Sequence, residues 1–387
     1  MSPIHPKVWK VLVDRLGFSS ELERELRGLL GDCVDSRSVR GALSKFSGKD
    51  ADLISIIENE YAQVVRELRA ARSSYQQERE GNMGLKLWHT PTRNIVLKEA
   101  EEGFLEKNNI SESHDLDAFA GPPPPSASLR AGMSDAKDQG SAGTCTSFGV
   151  VSCLDYFHGK VDLSEGHLTH GAEKQFGDCS EGLALEHAMA YARDTGVVTE
   201  VDWRYDAAQI CWVDPPQTSS KQHFRFTQVR VVFQRPSAAV IGLMDAQLRG
   251  DASIAFGASS MMYSQAQEGG MPANFVNLLK AAIAKAHTPV AVSVPVWFKS
   301  KGKLDAGWDW GPNIQMPTPV NLRLFLEISS VPGGAGWHVI AIDGYDDAVQ
   351  RFTFKNSWDW WWGDNGFGTI PYEYVTAYAR LAMHGWV

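Results

Sequence analysis

The chain has 387 residues, 43% of them hydrophobic and 10% aromatic, which is enough apolar material for more than one sizeable core and implies about two or three domains. A formal charge of -9 and a pI near 5.7 exclude a general nucleic-acid surface. Five cysteines, an odd and widely spaced set, exclude a disulfide scaffold, and no C-x-x-C or H-E-x-x-H pattern marks a metal centre.

The opening Met1–Lys7 lacks the apolar core of a signal peptide, and no run approaches the roughly 18 apolar residues of a membrane span. A cytoplasmic location is expected. Residues 7 to 80 read as a small helical unit. Trp9, Leu12, Val13 and Leu16 share one face; Ser20 and Glu23 have capping-box spacing; Leu22, Leu26, Leu29 and Leu30 continue an apolar stripe. Leu53, Ile56, Ile57, Tyr61, Val64 and Leu68 recur at helical spacing, with charged residues on the other face. No set of catalytic side chains appears here, so residues 1–80 are expected to recruit or regulate, including by self-association. Residues 81–121 form a linker or packing segment that ends in Gly121-Pro122-Pro123-Pro124-Pro125, a stiff, extended stretch.

The stretch Asp138-Gln139-Gly140-Ser141-Ala142-Gly143-Thr144-Cys145 places small residues just ahead of a cysteine, and the apolar run Phe148–Phe157 after it reads as a buried helix. Cys145 therefore falls at a helix N-terminus, where unpaired N–H groups and the helix dipole favour a thiolate. Gln139 can direct a neutral amide donor at the oxyanion formed by thiolate attack on a carbonyl. His167, His170, Cys179 and His187 follow, at spacings that match no compact metal site, so packing roles are expected and no metal. Leu183, His187, Ala190 and Tyr191 fit a helix ending at Gly196, and Val229–Phe233 reads as a strand.

Residues 235–272, rich in Ala, Gly, Ser and Met, read as an insertion whose methionines fill a core or lid. Phe275, Leu278, Leu279, Ala282 and Ile283 make a helix, followed by a buried strand at Pro289–Val296. Then Gly336-Trp337-His338 leads into the apolar run Val339–Ile342, and Phe352–Lys355 starts a second strand that ends in Asn356-Ser357-Trp358. If these strands pair, Asn356 holds the His338 imidazole in one tautomer, Trp358 shields that bond from water, and the second ring nitrogen is left for Cys145. The tryptophans from 308 to 362 are expected to pack the core and the site.

With a glutamine, a cysteine, a histidine and an asparagine in this order, the sequence resembles the papain-like cysteine peptidases, and in pattern most of all their non-secreted bacterial members. The resemblance runs through Ser128-Leu129-Arg130, Gly177–Gly182, Asn356-Ser357-Trp358, Trp362–Phe367 and Ile370–Val375. It implies an α+β fold with a helical lobe and a barrel-like antiparallel sheet lobe over residues 122–387, preceded by the all-α module. It also implies Cys145 as nucleophile, His338 as base, Asn356 as its orienter and Gln139 as oxyanion donor, with Glu181, Gly182, Gly336, Trp337 and Trp358 lining the substrate cleft.

The activity implied is cysteine-type endopeptidase action on a polypeptide, without cofactor or metal; a silent peptide-binding protein and a thioester-forming amidase or transpeptidase are the alternatives. The chain departs from the family pattern in four places. Ala142 stands where a cysteine would partner Cys179, Thr146 replaces an aromatic after the nucleophile, and Asp359 replaces a glycine. The interval from Cys145 to His338 also exceeds the roughly 130–150 residues usual for such enzymes, which is why an insertion is expected.

Overall fold

The chain divides into two compact units, Met1–Leu85 and Lys86–Val387. The computed structural model describes residues 99–112, 116, 122–140, 142–176, 182–207, 218–249, 275–296, 308, 312–329, 336–360 and 362–387. All of them belong to the second unit. The helical pattern assigned to residues 7–80, the cleft residue Glu181 and the cysteines at 33, 179 and 211 lie outside the described residues.

The strands are β1 (Ser126–Ser128), β2 (Gln228–Gln234), β3 (Val290–Pro295), β4 (Trp337–Asp346), β5 (Arg351–Lys355), β6 (Phe367–Pro371) and β7 (Leu381–Trp386). They form one seven-stranded sheet in the order β2-β7-β3-β4-β5-β6, with β1 added along β4. Every pairing is antiparallel. The helices are α1 (Phe104–Lys107), α2 (Cys145–Phe157), α3 (Glu165–Phe176), α4 (Leu185–Asp194), α5 (Ser237–Leu248), α6 (Phe275–Ala284), α7 (Pro319–Ser329) and α8 (Tyr372–Tyr378). The result is a two-lobed α+β fold in which α2, α3 and α4 make the helical lobe.

The central strands are buried on both faces, and this explains their unbroken apolar sequence. Side chains alternate across a strand, so Val290, Val292, Val294, Ile340 and Ile342 enter the core shared with α6 and α8, while Ala291, Val339 and Ala341 enter the core shared with α2 and α4. Helix α2 is buried continuously from Cys145 to Asp155 because it lies between the other helices and this second sheet face. Its approach depends on Gly149, where a Cβ would stand 2.6 Å from Cγ1 of Val339. One helical turn before that contact is Cys145; one residue before Val339 is His338.

The proline-rich approach hugs the sheet edge. The Tyr345 hydroxyl donates to the Pro124 carbonyl at 2.8 Å, and β1 then pairs with β4 from Ser126 opposite Asp346. The stretch read as an insertion opens with α5, whose Val240 and Met244 enter the sheet-side core. Residues 250–274 lie outside the described residues. Helices α5 and α7 touch each other. In α7, which ends a few residues before Gly336, Thr318 and Asn321 cap the first turn through side-chain bonds of 2.7 and 3.2 Å.

Candidate active site

The local sequence fixes each part of the site before the lobes are considered. Helix α2 begins at Cys145, with Thr144 as its N-cap residue. The Thr144 side chain makes no cap bond; its hydroxyl meets the Tyr205 hydroxyl at 2.8 Å. Tyr205 donates its proton to the Gln139 carbonyl at 2.7 Å, so Thr144 must be the donor to Tyr205. One phenol therefore holds both the residue before the nucleophile and the backbone of the oxyanion loop.

Gln139 is fixed from several sides. Its N–H donates to the Ser357 carbonyl at 2.9 Å, and its side-chain nitrogen donates to the Ala142 carbonyl at 2.8 Å. A backbone carbonyl only accepts, so the amide's NH2 side is thereby identified and Oε1 accepts from the Ser357 hydroxyl at 2.5 Å. Two hydrogens sit on that amide nitrogen, and one serves Ala142; the other is the donor available to an oxyanion.

The histidine tautomer is set by the bonds of its asparagine partner. Oδ1 of Asn356 accepts the Ser357 N–H at 2.8 Å, which identifies it as the oxygen, and it lies 2.7 Å from His338 Nε2. Nε2 must therefore carry a hydrogen, and in the neutral ring Nδ1 is the basic nitrogen. His338 and Asn356 are 5% and 3% exposed. Trp358 covers the pair, its ring centroid 5.0 Å from that of His338 at an interplanar angle of 33°, and Trp308 meets the imidazole edge-on at 6.0 Å. Ser357 thus links Gln139 to Asn356, a connection that the separate motifs do not show, although Ser357 sits inside one of them.

Burial pushes the Cys145 thiol up, and hydrogen bonds with the Val339 and Thr146 backbone, the Thr146 side chain and its own backbone oppose that shift without cancelling it. A solitary thiolate is thus disfavoured. Passing the proton to a neighbouring imidazole, rather than to bulk water, replaces one buried ion by an ion pair and reduces that penalty. Gly149, one helical turn after Cys145, lies against Val339, the residue that follows His338. Cys153 is also free and fully buried, and burial raises its thiol far above the ordinary range.

Beneath the site runs a buried polar chain. Lys355, next to Asn356, donates to the Ser134 hydroxyl at 2.7 Å, which donates to Asp155 of α2 at 2.8 Å. Lys137, two residues before Gln139, meets Asp162 at 2.6 Å and Glu165 at 3.0 Å. Strand β5, the oxyanion loop and the helical lobe are pinned together by these bonds. Apolar patterning gave no signal for them.

Asp359, the replacement for glycine, adopts a left-handed φ of 62°, and its carboxylate accepts the Trp360 N–H at 2.8 Å. Aspartate tolerates this region better than most residues do, so the turn survives the substitution. Gly366, by contrast, has φ of 83°, and a Cβ there would lie 2.0 Å from that of Ala136. Its carbonyl accepts the Asn356 N–H at 2.9 Å, so this glycine seats the orienter.

Of the cleft residues inferred from the sequence, Gly182 has a left-handed φ of 95°, and the Gly336 carbonyl accepts from Val296 at 2.6 Å. Trp337 is 5% exposed and packs edge-on against Phe325 at 5.9 Å, in the core of the sheet lobe. Trp308, Trp358, Trp360 and Trp362 are buried as well. The histidines are packing residues: His187 stacks on Phe176 at 5.0 Å, and His167 packs against Trp203, its pKa pushed down to about 4 by burial and by the neighbouring His223 and His170. Among the described residues no cluster of His, Cys, Asp or Glu could hold a metal ion, and no helix is long and apolar enough to cross a membrane.

A two-lobed fold with a cysteine at a helix start, facing a strand that carries an asparagine-bonded histidine, defines a class of thiol hydrolases. A family profile described as Papain family cysteine protease matches residues 124–294. That stretch contains Gln139 and Cys145 and ends in β3, whose partner strand carries His338. Over that stretch the chain is similar to the papain family cysteine proteases.

Peptidase 1 of Dermatophagoides pteronyssinus is 26% identical over 240 residues, 59% of this chain and 55% of that protein, so the chain spans about half the length of this curated relative. Among solved structures, xylellain, a cysteine protease from Xylella fastidiosa, has 18% identity and a TM-score of 0.45, covering 76% of this chain and 96% of its own. The digestive procathepsin L2 proteinase of Tenebrio molitor larval midgut has 18% identity and a TM-score of 0.48, covering 83% and 90%. The relatives come from bacteria and eukaryotes alike.

Proposed function

We propose that the protein is a cysteine-type endopeptidase. The observation that carries this reading is the His338–Asn356 bond of 2.7 Å, with Asn356 in turn bonded to Ser357 and Ser357 to Gln139. In the mechanism it supports, Cys145 gives its proton to His338 Nδ1 and its sulfur attacks a peptide carbonyl carbon. The Gln139 amide and the Cys145 N–H at the helix start donate to the oxyanion. The imidazolium then protonates the leaving amine, and water activated by His338 hydrolyses the thioester. The test is incubation with internally quenched peptides, with products identified by mass. Internal cleavage that disappears in Cys145→Ala is expected; ligation products or release of ammonia would move the assignment to transpeptidation or amide hydrolysis, and binding without turnover to a silent peptide-binding protein.

Residues 1–80 are read as a separable helical module that recruits a protein partner, self-associates, or regulates the peptidase. The apolar spacing of Leu53–Leu68 and the division of the chain after Leu85 support this. A fragment starting at Lys86 should hydrolyse short peptides, and adding the isolated module separates the alternatives, since a pro-region would inhibit in trans. The proposed setting is the cytoplasm, in the manner of the non-secreted bacterial members, supported by Ala142 where a bridging cysteine would stand. Cell fractionation tests it, and a secreted product would refute it.

A further inference from the structure

An oxyanion hole built from the Gln139 amide and the Cys145 N–H needs its two donors at a fixed separation. The chain between them, Gly140-Ser141-Ala142-Gly143-Thr144, is short, made of small residues and carries two glycines, so it does not set that separation by itself. Tyr205 spans the stretch from outside. Its hydroxyl donates to the Gln139 carbonyl at 2.7 Å and accepts from the Thr144 hydroxyl at 2.8 Å, so both ends of the loop are joined through one oxygen.

A threonine in the N-cap position ordinarily turns its hydroxyl onto an N–H of the first helical turn. The Thr144 hydroxyl is turned to Tyr205 instead and makes no cap bond, so no first-turn N–H of α2 is spent on it. Tyr205 is itself held on a fixed turn. Its N–H donates to Glu200 Oε1 at 2.8 Å, the Glu200 N–H donates to the Asp162 carbonyl at 2.7 Å, and the Ser164 N–H donates to the Val198 carbonyl at 2.9 Å, which ties the turn to the segment leading into α3. The Tyr205 ring packs edge-on against Phe148 of α2 at 5.0 Å. Two residues on, Ala207 closes against the loop at Gly140, whose φ is 61° and where a Cβ would stand 3.2 Å from that of Ala207. Burial pushes the phenol above its ordinary range, so it stays a donor at neutral pH.

We propose that Tyr205 is a positioning residue of the oxyanion hole, its hydroxyl fixing the Gln139 amide and the Cys145 N–H relative to each other. This rests on the reading of Cys145 as nucleophile and Gln139 as oxyanion donor. The partners of the hydroxyl are a backbone carbonyl and a threonine hydroxyl, neither of which titrates near neutral pH, so its role is geometric. Both bonds exist before any substrate arrives. The two donors are therefore set in place in advance, and no reorganisation is left for the moment when charge develops on the carbonyl oxygen.

The test compares the full chain with its Tyr205→Phe variant, which keeps the ring and loses the hydroxyl, by peptide hydrolysis and by the rate at which iodoacetamide alkylates Cys145. Attack on a peptide builds an oxyanion, whereas alkylation displaces iodide from a saturated carbon and builds none, so only hydrolysis reads the hole. Removing a whole oxyanion donor costs about 10²–10³ in kcat; displaced donors should cost about 10- to 100-fold, with KM and the alkylation rate little changed. In a Gln139→Ala background, where one donor is already gone, the same substitution should cost no more than about threefold. If Tyr205→Phe does not fold by thermal melting, Thr144→Val, which breaks the other bond of the phenol, should show the same split between hydrolysis and alkylation. A kcat within about threefold of wild type, a parallel fall in alkylation, or full additivity with Gln139→Ala overturns the proposal. A wild-type chain that is alkylated at Cys145 yet hydrolyses no peptide refutes the peptidase reading and the proposal with it, a result distinct from an active wild type beside an unaffected variant.

Discussion

Replacing Asn356 with alanine isolates the term on which the histidine's role depends. The Oδ1 atom accepts from His338 Nε2 at 2.7 Å and from the Ser357 N–H at 2.8 Å, whereas Nδ2 is buried without a hydrogen-bond partner among the described residues. Truncation therefore removes two bonds and releases one orphaned donor. During attack the imidazole becomes charged, and a bond to a charged group contributes about 1.5–3 kcal/mol. At about 1.4 kcal/mol per tenfold in rate, kcat/KM on a fluorogenic peptide should fall roughly 10- to 150-fold. The N–H left on Ser357 is a separate cost of about 1–3 kcal/mol in stability, read by chemical unfolding. Nitrogen-15 spectra of His338 should show a protonated Nε2 in the wild type and a tautomer mixture in the variant. A kcat/KM within threefold of wild type, with an unchanged tautomer, would refute the reasoning.

Cys145 should be alkylated selectively near neutral pH while Cys153 stays unmodified in the folded chain, because burial holds its thiol protonated; peptide mapping decides, and equal labelling would contradict the assignment. Gln139→Ala should lower kcat by about 2.7–4 kcal/mol of transition-state stabilisation, as for other single oxyanion donors, with wild-type turnover as the opposing result. Burial raises Glu200 to about 7, against a bond from the Tyr205 N–H, and its Oε2 is buried without a partner. With its folded pKa above the unfolded value, its contribution to stability is complete below about pH 4.3 and is lost as pH rises through about 7. Melting of Glu200→Gln across this window should lack part of the wild-type decline, and identical pH profiles would exclude the effect.

The sequence by itself determined the local elements and the identity of the chemical groups. The apolar run after Cys145 made α2, continuous apolar stretches made β3 and β4, and small residues before the cysteine marked the oxyanion loop. These are properties of neighbouring residues, so they survive without any knowledge of the fold. The sequence could also name His338 and Asn356 as partners, on condition that their strands pair.

Tertiary structure supplied that condition and everything that depends on contact across long separations. Strand pairing brought Asn356 to His338, and Ser357 reached Gln139 across most of the chain; the Tyr205 phenol joined Thr144 to Gln139. Lys355, Ser134 and Asp155 carry no shared pattern in the sequence, because a hydrogen bond between distant side chains leaves no periodicity in either segment. Helix α5 escaped because Ser237–Leu248 is apolar around most of its circumference, with no stripe for the 3.6-residue period to reveal. Asp359 read as a threat to its turn, and only the backbone could decide the matter: a left-handed φ accepted by aspartate, with the carboxylate bonded to the next N–H. Thr146 read as a lost aromatic, and became a donor to Leu183 only once α2 and the segment after Gly182 lay against each other.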